Sequence, residues 1–425
     1  MIIVALLIFL GSYALIISER IHRTVVALFG GALVVLIGTI MGFYHQDEAV
    51  SAIDFNTIGL LIGMMIIVAI TKETGLFQYI AVKAAKKVKG NPWKIMVVFS
   101  VLTAVFSALL DNVTTVLLII PMTVVICHNL RINPLPFLFV EILMSNIGGT
   151  ATLIGDPPNI LIGSAAKLSF MEFVVNLGPA VVVIFLVMLF YFKWKYGKCI
   201  QANPKDIKKI MLLNEKESLK NPKLIKKSLF VLSLTVLGFF LHGMLHLEAA
   251  TIALVGAGLL LLLDKKNPEK VLEEIEWTTV FFFAGLFVLV GSLEHVGVIQ
   301  VAASKLIELT HGNLATTSAL ILWGGAFFSA FVDNIPFVAT MIPLVQDLQS
   351  TFSPADLKTI WWSLALGACL GGNGTLVGAS ANLVVAGMAE KAGYKISFKE
   401  FIKVGLIVMI ISIAISHLYL MIRFL

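Results

Sequence analysis

The sequence predicts an all-α polytopic membrane protein. It is read as two inverted repeats that together hold about ten transmembrane helices, two re-entrant helical hairpins and two broken helices. Three observations carry this. Of 425 residues, 59% are apolar and only 13% charged, and the mean hydropathy is +0.97, a balance that no soluble surface has. The apolar residues fall in many blocks of about 15 to 22, which suits spanning helices; barrel strands would alternate over about 10 residues. Finally, the second half of the chain repeats the first. A soluble enzyme is excluded.

Taken in order, apolar spans are expected at 2–18, 24–43 and 57–71, followed by a stretch at 73–89 too rich in lysine for lipid. Residues 96–110 and 113–127 form two apolar arms of 15 residues. Each is about 22 Å long as a helix, against a hydrocarbon core of about 30 Å. Only Asp111 and Asn112 separate them, which predicts a hairpin that dips into the membrane and returns; two ordinary spans joined at the surface are the alternative. Residues 136–166 are apolar but interrupted at 148–159 by GGTATLIGDPPN, where glycines and a proline pair break helical hydrogen bonding. This is a broken helix. A span at 173–192 completes a first repeat over 1–195, and 196–226 is a lysine-rich, solvated cytoplasmic linker. The second repeat, 227–425, offers spans at 229–245, 249–263, 280–293 and 401–424, a hairpin around Asp333-Asn334 and a broken segment near 371–382.

Shifted by 222 positions, Ser107, Ala108, Asp111, Asn112, Val116, Ile120 and Pro121 meet Ser329, Ala330, Asp333, Asn334, Val338, Ile342 and Pro343. One further residue of offset brings Gly148, Gly149, Thr152, Leu153, Gly155 and Asn159 onto Gly371, Gly372, Thr375, Leu376, Gly378 and Asn382. Each half makes an odd number of crossings, so the second runs upside down relative to the first. With both termini outside the cell membrane, the 31 Lys and Arg less Lys167, Lys305, Lys358 and Arg423 leave 27 on the cytoplasmic side, as the positive-inside rule asks. The first segment lacks a basic start and has a counterpart in the second half, so it is read as part of the fold and not as a cleaved signal.

Several classes of chemistry are disfavoured. The basic residues cluster between spans without a nucleic-acid-reading motif. Cys127, Cys199 and Cys369 are far apart and outside any CxxC pattern, so neither a disulfide framework nor a zinc site is indicated. His242, His246, His295 and His311 are expected at or near the surface and His128 beyond a hairpin arm, so no metal set is read from them. There is no Walker loop, nucleotide turn or nucleophile elbow. No cofactor is expected, and the energy would come from a sodium or proton gradient.

Interrupted helices in inverted repeats are where secondary transporters bind ions and substrate, on amides and carbonyls freed by the breaks. Asp111-Asn112 and Asp333-Asn334 each offer a carboxylate, an amide and the positive end of the second arm. A carboxylate at mid-membrane costs at least about 2.5–3.5 kcal/mol, so a retained one points to a cation or proton; capping of the arm is the plainer role and is compatible with it. A cation, sodium among the candidates, or a proton is therefore expected at one or both of Asp111 and Asp333, beside Asn112 and Asn334. Thr114 and Thr115 add hydroxyls at the first tip where the second has Pro336 and Phe337, so the tips are not expected to be equal. In the breaks, Gly149 and Gly372 let backbone approach a ligand. Thr150, Thr152, Asn159, Asn373, Thr375, Ser380 and Asn382 supply neutral donors and acceptors suited to hard cations and oxyanions. Close helix packing is the alternative role for the glycines. Asp156 faces Ala379 in the other half and is either a proton or cation site or a helix cap. Glu141, matched by Leu364, is expected at the cytoplasmic interface, with a functional role as the alternative.

The segments SALLDNVTTVLLIIP, EILMSNIGGTATLIGDPPNILIGSAA, SAFVDNIPFVATMIP and GGNGTLVGASANLVV resemble the ion transporter superfamily. More narrowly they resemble the group of ArsB-type arsenite permeases, NhaD-type sodium/proton antiporters and the melanocyte P protein, most of all the P-protein branch. The dicarboxylate and citrate branch carries Ser-Asn-Thr at both tips, where this chain has Asp-Asn-Val and Asp-Asn-Ile. The resemblance implies a homodimer with a scaffold and a mobile, elevator-like transport domain. It also implies sodium or proton sites at the tips and breaks and a substrate between them. The expected function is transport of a small anion or oxyanion coupled to sodium or protons. The alternatives are a sodium/proton antiporter using positions 111, 156 and 333, an arsenite permease and an ion channel.

Overall fold

The computed structural model describes residues 1–18, 20–264 and 267–425; Glu19, Lys265 and Lys266 lie outside them. The described residues form helices and no strand. The first half runs α1 (Ile2–Ser18), α2 (Arg23–Met41), α3 (Gln46–Ser51), α4 (Phe55–Glu73), α5 (Leu76–Lys87), α6 (Pro92–Leu109), α7 (Asn112–Leu130), α8 (Leu135–Gly149), α9 (Pro157–Ala166) and α10 (Phe170–Tyr196). Then come α11 (Pro204–Leu212) and a short 3₁₀ turn over Glu215–Ser218. The second half runs α12 (Pro222–Leu245), α13 (Ala249–Asp264), α14 (Pro268–Glu273), α15 (Trp277–His295), α16 (Val298–Thr310), α17 (Leu314–Phe331), α18 (Asn334–Asp347), α19 (Pro354–Gly371), α20 (Ser380–Lys391) and α21 (Phe398–Arg423). The element order of the first half recurs in the second.

Local signals explain the boundaries. Asn91 caps α6 by accepting from the Lys94 amide at 3.0 Å, with Pro92 in the first turn; proline lacks only an amide that would be unpaired there anyway. Ser169 with Glu172 and Ser353 with Asp356 form capping boxes at α10 and α19. The equivalent glycines Gly75 and Gly297 adopt φ of 77° and 84° to turn the chain into α5 and α16, a left-handed conformation that glycine takes without strain.

The two hairpins, α6–α7 and α17–α18, and the two broken helices, α8–α9 and α19–α20, are as expected, but three details differ. The arms α6 and α7 have 18 and 19 residues, about 27–28 Å, so shortness does not keep them from crossing. Among the described residues nine helices are long and apolar enough to span. That set includes the arms α6, α7 and α17 and omits the shorter α1 and α13, so length and composition alone do not separate spans from hairpin arms. The linker also is not wholly solvated: Ile200 and Ile210 are buried, Lys220 donates its amide to the Thr74 carbonyl at 3.0 Å, and Lys86 bonds Glu215 at 2.5 Å. The Lys86 ammonium holds the Glu215 carboxyl below the usual carboxylate range. Helix α12 begins at Pro222, inside the stretch read as linker.

Packing exchanges partners between the halves. Helix α4 lies on α13 and α2 on α15, while α7 packs with α20 and α18 with α9. A Cβ at Gly63 would meet the Ala253 backbone, and one at Gly285 the Ala27 backbone, so small residues set both crossings. The repeats are units of sequence; in space each completes the other.

Candidate functional site

Each hairpin tip begins a helix whose first residue beyond the cap is an asparagine. Asp111 caps α7, its Oδ1 accepting from the Thr114 amide at 2.8 Å; Asp333 caps α18, accepting from the Ile335 amide at 3.1 Å. The breaks span 150–156 and 372–379. Their freed backbone is held from within. Thr152 and Thr375 donate to the carbonyls of Ala108 and Ala330 at the ends of the neighbouring arms. Asn159 Nδ2 reaches the carbonyls of Thr150 and Thr152 at 3.2 and 2.9 Å, and Asn382 Nδ2 those of Gly372 and Thr375 at 2.8 and 2.9 Å. Unpaired polar groups in lipid cost several kcal/mol, so these four side chains explain why helices can stop there. Thr150 bonds the Asn146 carbonyl. Gly149 and Gly372 let the two ends of each break touch, since a Cβ on either would meet Gly155 or Gly378.

The tips and breaks converge on Asp156, which is fully buried. Asn112 Nδ2 donates to its Oδ1 at 3.2 Å, and Asn334 Nδ2 to its two oxygens at 3.2 and 3.3 Å. Although Asp156 occupies the cap position of α9, its side chain makes no cap hydrogen bond. Both asparagines are therefore turned to one carboxylate. At the first tip, Asn112 Oδ1 and Thr115 Oγ1 are buried without a protein partner, the kind of hard oxygen a cation uses. The second tip differs. Asp333 Oδ2 receives Arg23 Nη1 at 2.6 Å and Ser380 Oγ at 2.7 Å.

Asp111, Asn112, Asp156, Asn334 and Ser380 line a cavity of about 210 Å³ together with Arg23, Glu276, Thr278 and Thr279. A neighbouring cavity of about 270 Å³ is lined by Asp333 and shares Arg23 and Ser380. Thr114, Thr115, Thr150, Thr152, Asn159, Asn373, Thr375 and Asn382 are not on the wall of the first. Cavity-lining residues lie in or beside the first turns of α2, α7, α9, α15, α18 and α20, so the cavity sits at helix ends that favour anions. Asp111, Asp156 and Glu276 oppose them there. Among the described residues no group of three or more His, Cys, Asp and Glu has metal-holding geometry, so the three carboxylates share a wall without forming a chelate.

Three residues at the site, Arg23, Glu276 and Asn146, were missed by the sequence reading. Arg23 and Glu276 stand at the starts of apolar spans and read as flanking charges. Asn146 lies mid-helix, accepts from Asn112 at 3.2 Å, and donates to Asn373 and Asn382 at 3.0 Å each; a single asparagine inside an apolar run was its signal. Glu141, expected at the interface, is buried within the protein: Thr123 bonds its Oε1 at 2.6 Å and Oε2 has no protein partner. His242 likewise is buried and accepts from the Phe170 amide at 2.9 Å.

Two hairpins and two broken helices border the cavity in a chain of multi-pass membrane type, and its family and relatives define the class as membrane transporters, not enzymes. The chain belongs to the citrate transporter family, whose family model (CitMHS) matches residues 13–367. It is 44% identical over 426 residues to the uncharacterized transporter Rv2684 of Mycobacterium tuberculosis, covering 99% of this chain and 98% of that protein. It is 35% identical over 503 residues to the P protein of Homo sapiens, covering 99% of this chain and 59% of that longer protein. Among solved structures it is similar in fold to the YdaH transporter of Alcanivorax borkumensis (TM-score 0.62, 12% identity, 95% of this chain and 98% of that one). The MtrF efflux pump of Neisseria gonorrhoeae is a second such likeness (TM-score 0.60, 12% identity, 93% and 84%).

Proposed function

We propose that this chain is a secondary-active transporter that moves a small anion or oxyanion with sodium or protons, by alternating access at the cavity between the tips and breaks. The observation that carries the reading is the meeting of six helix starts with three carboxylates on one small cavity. The helix ends attract an anion; while Asp111, Asp156 and Glu276 are charged, they cancel that attraction. A proton or sodium ion on the carboxylates restores it, so the anion binds after the cation and the two travel together. Coupling then follows from electrostatics at one site.

Sodium at the first tip is supported by the unpartnered Asn112 Oδ1 and Thr115 Oγ1. Residues at the starts of α2 and α15 are on the cavity wall; the charge distribution assigns these helix ends to the cytoplasm, with outside termini and a cytoplasmic linker. Inverted repeats, an elevator-like motion of the tips and breaks against α1, α2, α4, α12, α13 and α15, and a homodimer complete the proposal. They rest on sequence duplication and resemblance. The family's name makes citrate one anion to try; the Asp-Asn tips in place of Ser-Asn-Thr argue for a wider panel. Cys127 and Cys369 are off the cavity wall, which disfavours arsenite held by thiols.

The second reading is a sodium/proton antiporter without other substrate, and the excess of carboxylates over Arg23 on the wall favours it. Proteoliposomes separate the two. Uptake of an anion from a panel of carboxylates and oxyanions that requires a sodium or proton gradient supports the first; a sodium jump that moves protons with no such anion present supports the second. Voltage-driven current without exchange would overturn both in favour of a channel.

A further inference from the structure

Arg23 is a cation placed at the first position of α2, the positive end of a helix, where the dipole opposes it. It needs a specific anion, and it has one. Its Nη1 lies 2.6 Å from Asp333 Oδ2 and 2.7 Å from Ser380 Oγ, and Ser380 Oγ is itself 2.7 Å from the same carboxylate oxygen. Its guanidinium carbon stacks 5.0 Å from the centre of the Phe282 ring on α15, which fixes the side chain against the helix that α2 packs on. Asp333 is 9% accessible as a side chain and Arg23 27%.

The equivalent tip has no such partner. Asp111 has no ion pair among the described residues, and beside it Asn112 Oδ1 and Thr115 Oγ1 are buried without protein partners. At the second tip the hydroxyl is replaced by Phe337, and the positive charge is already present, covalently attached to a neighbouring helix. A bound monovalent cation and a guanidinium satisfy a carboxylate by the same electrostatics, and two of them cannot occupy it together.

We propose that Arg23 is a tethered cation of the second tip: in this conformation it fills at Asp333 and Ser380 the position that a transported cation fills at the first tip. The two pseudo-equivalent tips thereby divide their roles, one carrying cargo and the other closed by the protein itself. Because Arg23 belongs to α2 while Asp333 and Ser380 belong to the second hairpin and the second half of its broken helix, the pair also ties these two groups of helices, and it opens whenever they separate. The comparison with the first tip rests on the cation-coupled reading above; the pair itself does not.

The test uses the full chain in detergent, with Tm measured in sodium chloride against choline chloride at equal ionic strength. Arg23→Gln leaves Asp333 unpaired, so it lowers Tm in choline and gains a saturable sodium-dependent rise that Arg23→Gln/Asp333→Asn lacks, whereas Arg23→Lys behaves as the parent does. Should Arg23→Gln not fold, Asp333→Asn serves alone: with a guanidinium and not sodium at that carboxylate, the parent's sodium response survives the substitution. Two results overturn the proposal: a sodium response of the parent lost in Asp333→Asn, or an Arg23→Gln chain identical to the parent in Tm and sodium response. A parent without sodium response whose Arg23→Gln variant acquires one through Asp333 sinks sodium at the first tip while leaving the tethered cation standing.

Discussion

At the scale of the residue, Asp156 concentrates the chemistry because two amides from opposite halves of the chain donate to it and its counterpart Ala379 offers nothing. Asp156→Asn puts amide hydrogens against the amides of Asn112 and Asn334 and removes the charge. Coupled transport in proteoliposomes should fall at least about tenfold, with half-saturation by sodium or protons displaced, since one lost charge-assisted contact is worth about 1.5–3 kcal/mol. An unaltered cation dependence would take Asp156 out of the coupling step. Asn146→Ala tests the layer behind it. It strips a donor from both Asn373 and Asn382, and buried acceptors left unpaired cost about 1–3 kcal/mol each, so a clear loss of Tm is expected without a change in ion preference. The Asp-Asn tips and Asp156 were legible because a carboxylate within an apolar run demands a partner. Arg23 and Glu276 were not legible. At the edge of a span a charge looks like an ordinary flank, and only the fold brings Asp333, 310 positions away in sequence, to Arg23.

At the scale of the element, helix breaks and hairpins announce themselves through glycine, proline and paired polar residues, whereas arm length does not. The sequence reading began the first arm's apolar run at Met96, but Asn91 and Pro92 start α6 four residues earlier and carry Lys94 within the helix, because a cap and a favourable first turn override the local charge. What the pattern could not convey is how closely the helices cross. Gly63 meets the backbone of Ala253 and Gly285 that of Ala27, whereas a side chain at Gly258 on α13 would meet nothing. Gly63→Leu and Gly285→Leu should therefore each destabilise the chain by about 1–3 kcal/mol or more through forced separation of the helices, read as a fall in Tm in detergent. Gly258→Leu serves as control, and equal losses at all three positions would remove close crossing as the reason for these glycines.

At the scale of the whole molecule, the exchange of partners between the halves means that orientation in the membrane is a single choice for the entire chain. Helices α4 and α13, and α2 and α15, interlock across the duplication, so one half cannot be reversed without undoing the other's packing. The lysine-rich segment joining the halves must then lie on one side only, and the positive-inside rule makes the cytoplasm the side we propose. The chain contains its own reporter. Of three free cysteines, Cys127 and Cys369 are buried and Cys199 is exposed, just after α10 in that segment. A thiolate must reach solvent to react, so a bulky, membrane-impermeant maleimide should modify this chain at Cys199 alone. It should do so in inside-out vesicles and not in intact cells. Labelling from the outside of intact cells would turn the whole assignment over at once, carrying both termini to the opposite face, because the interlocked halves leave no way to invert the linker by itself.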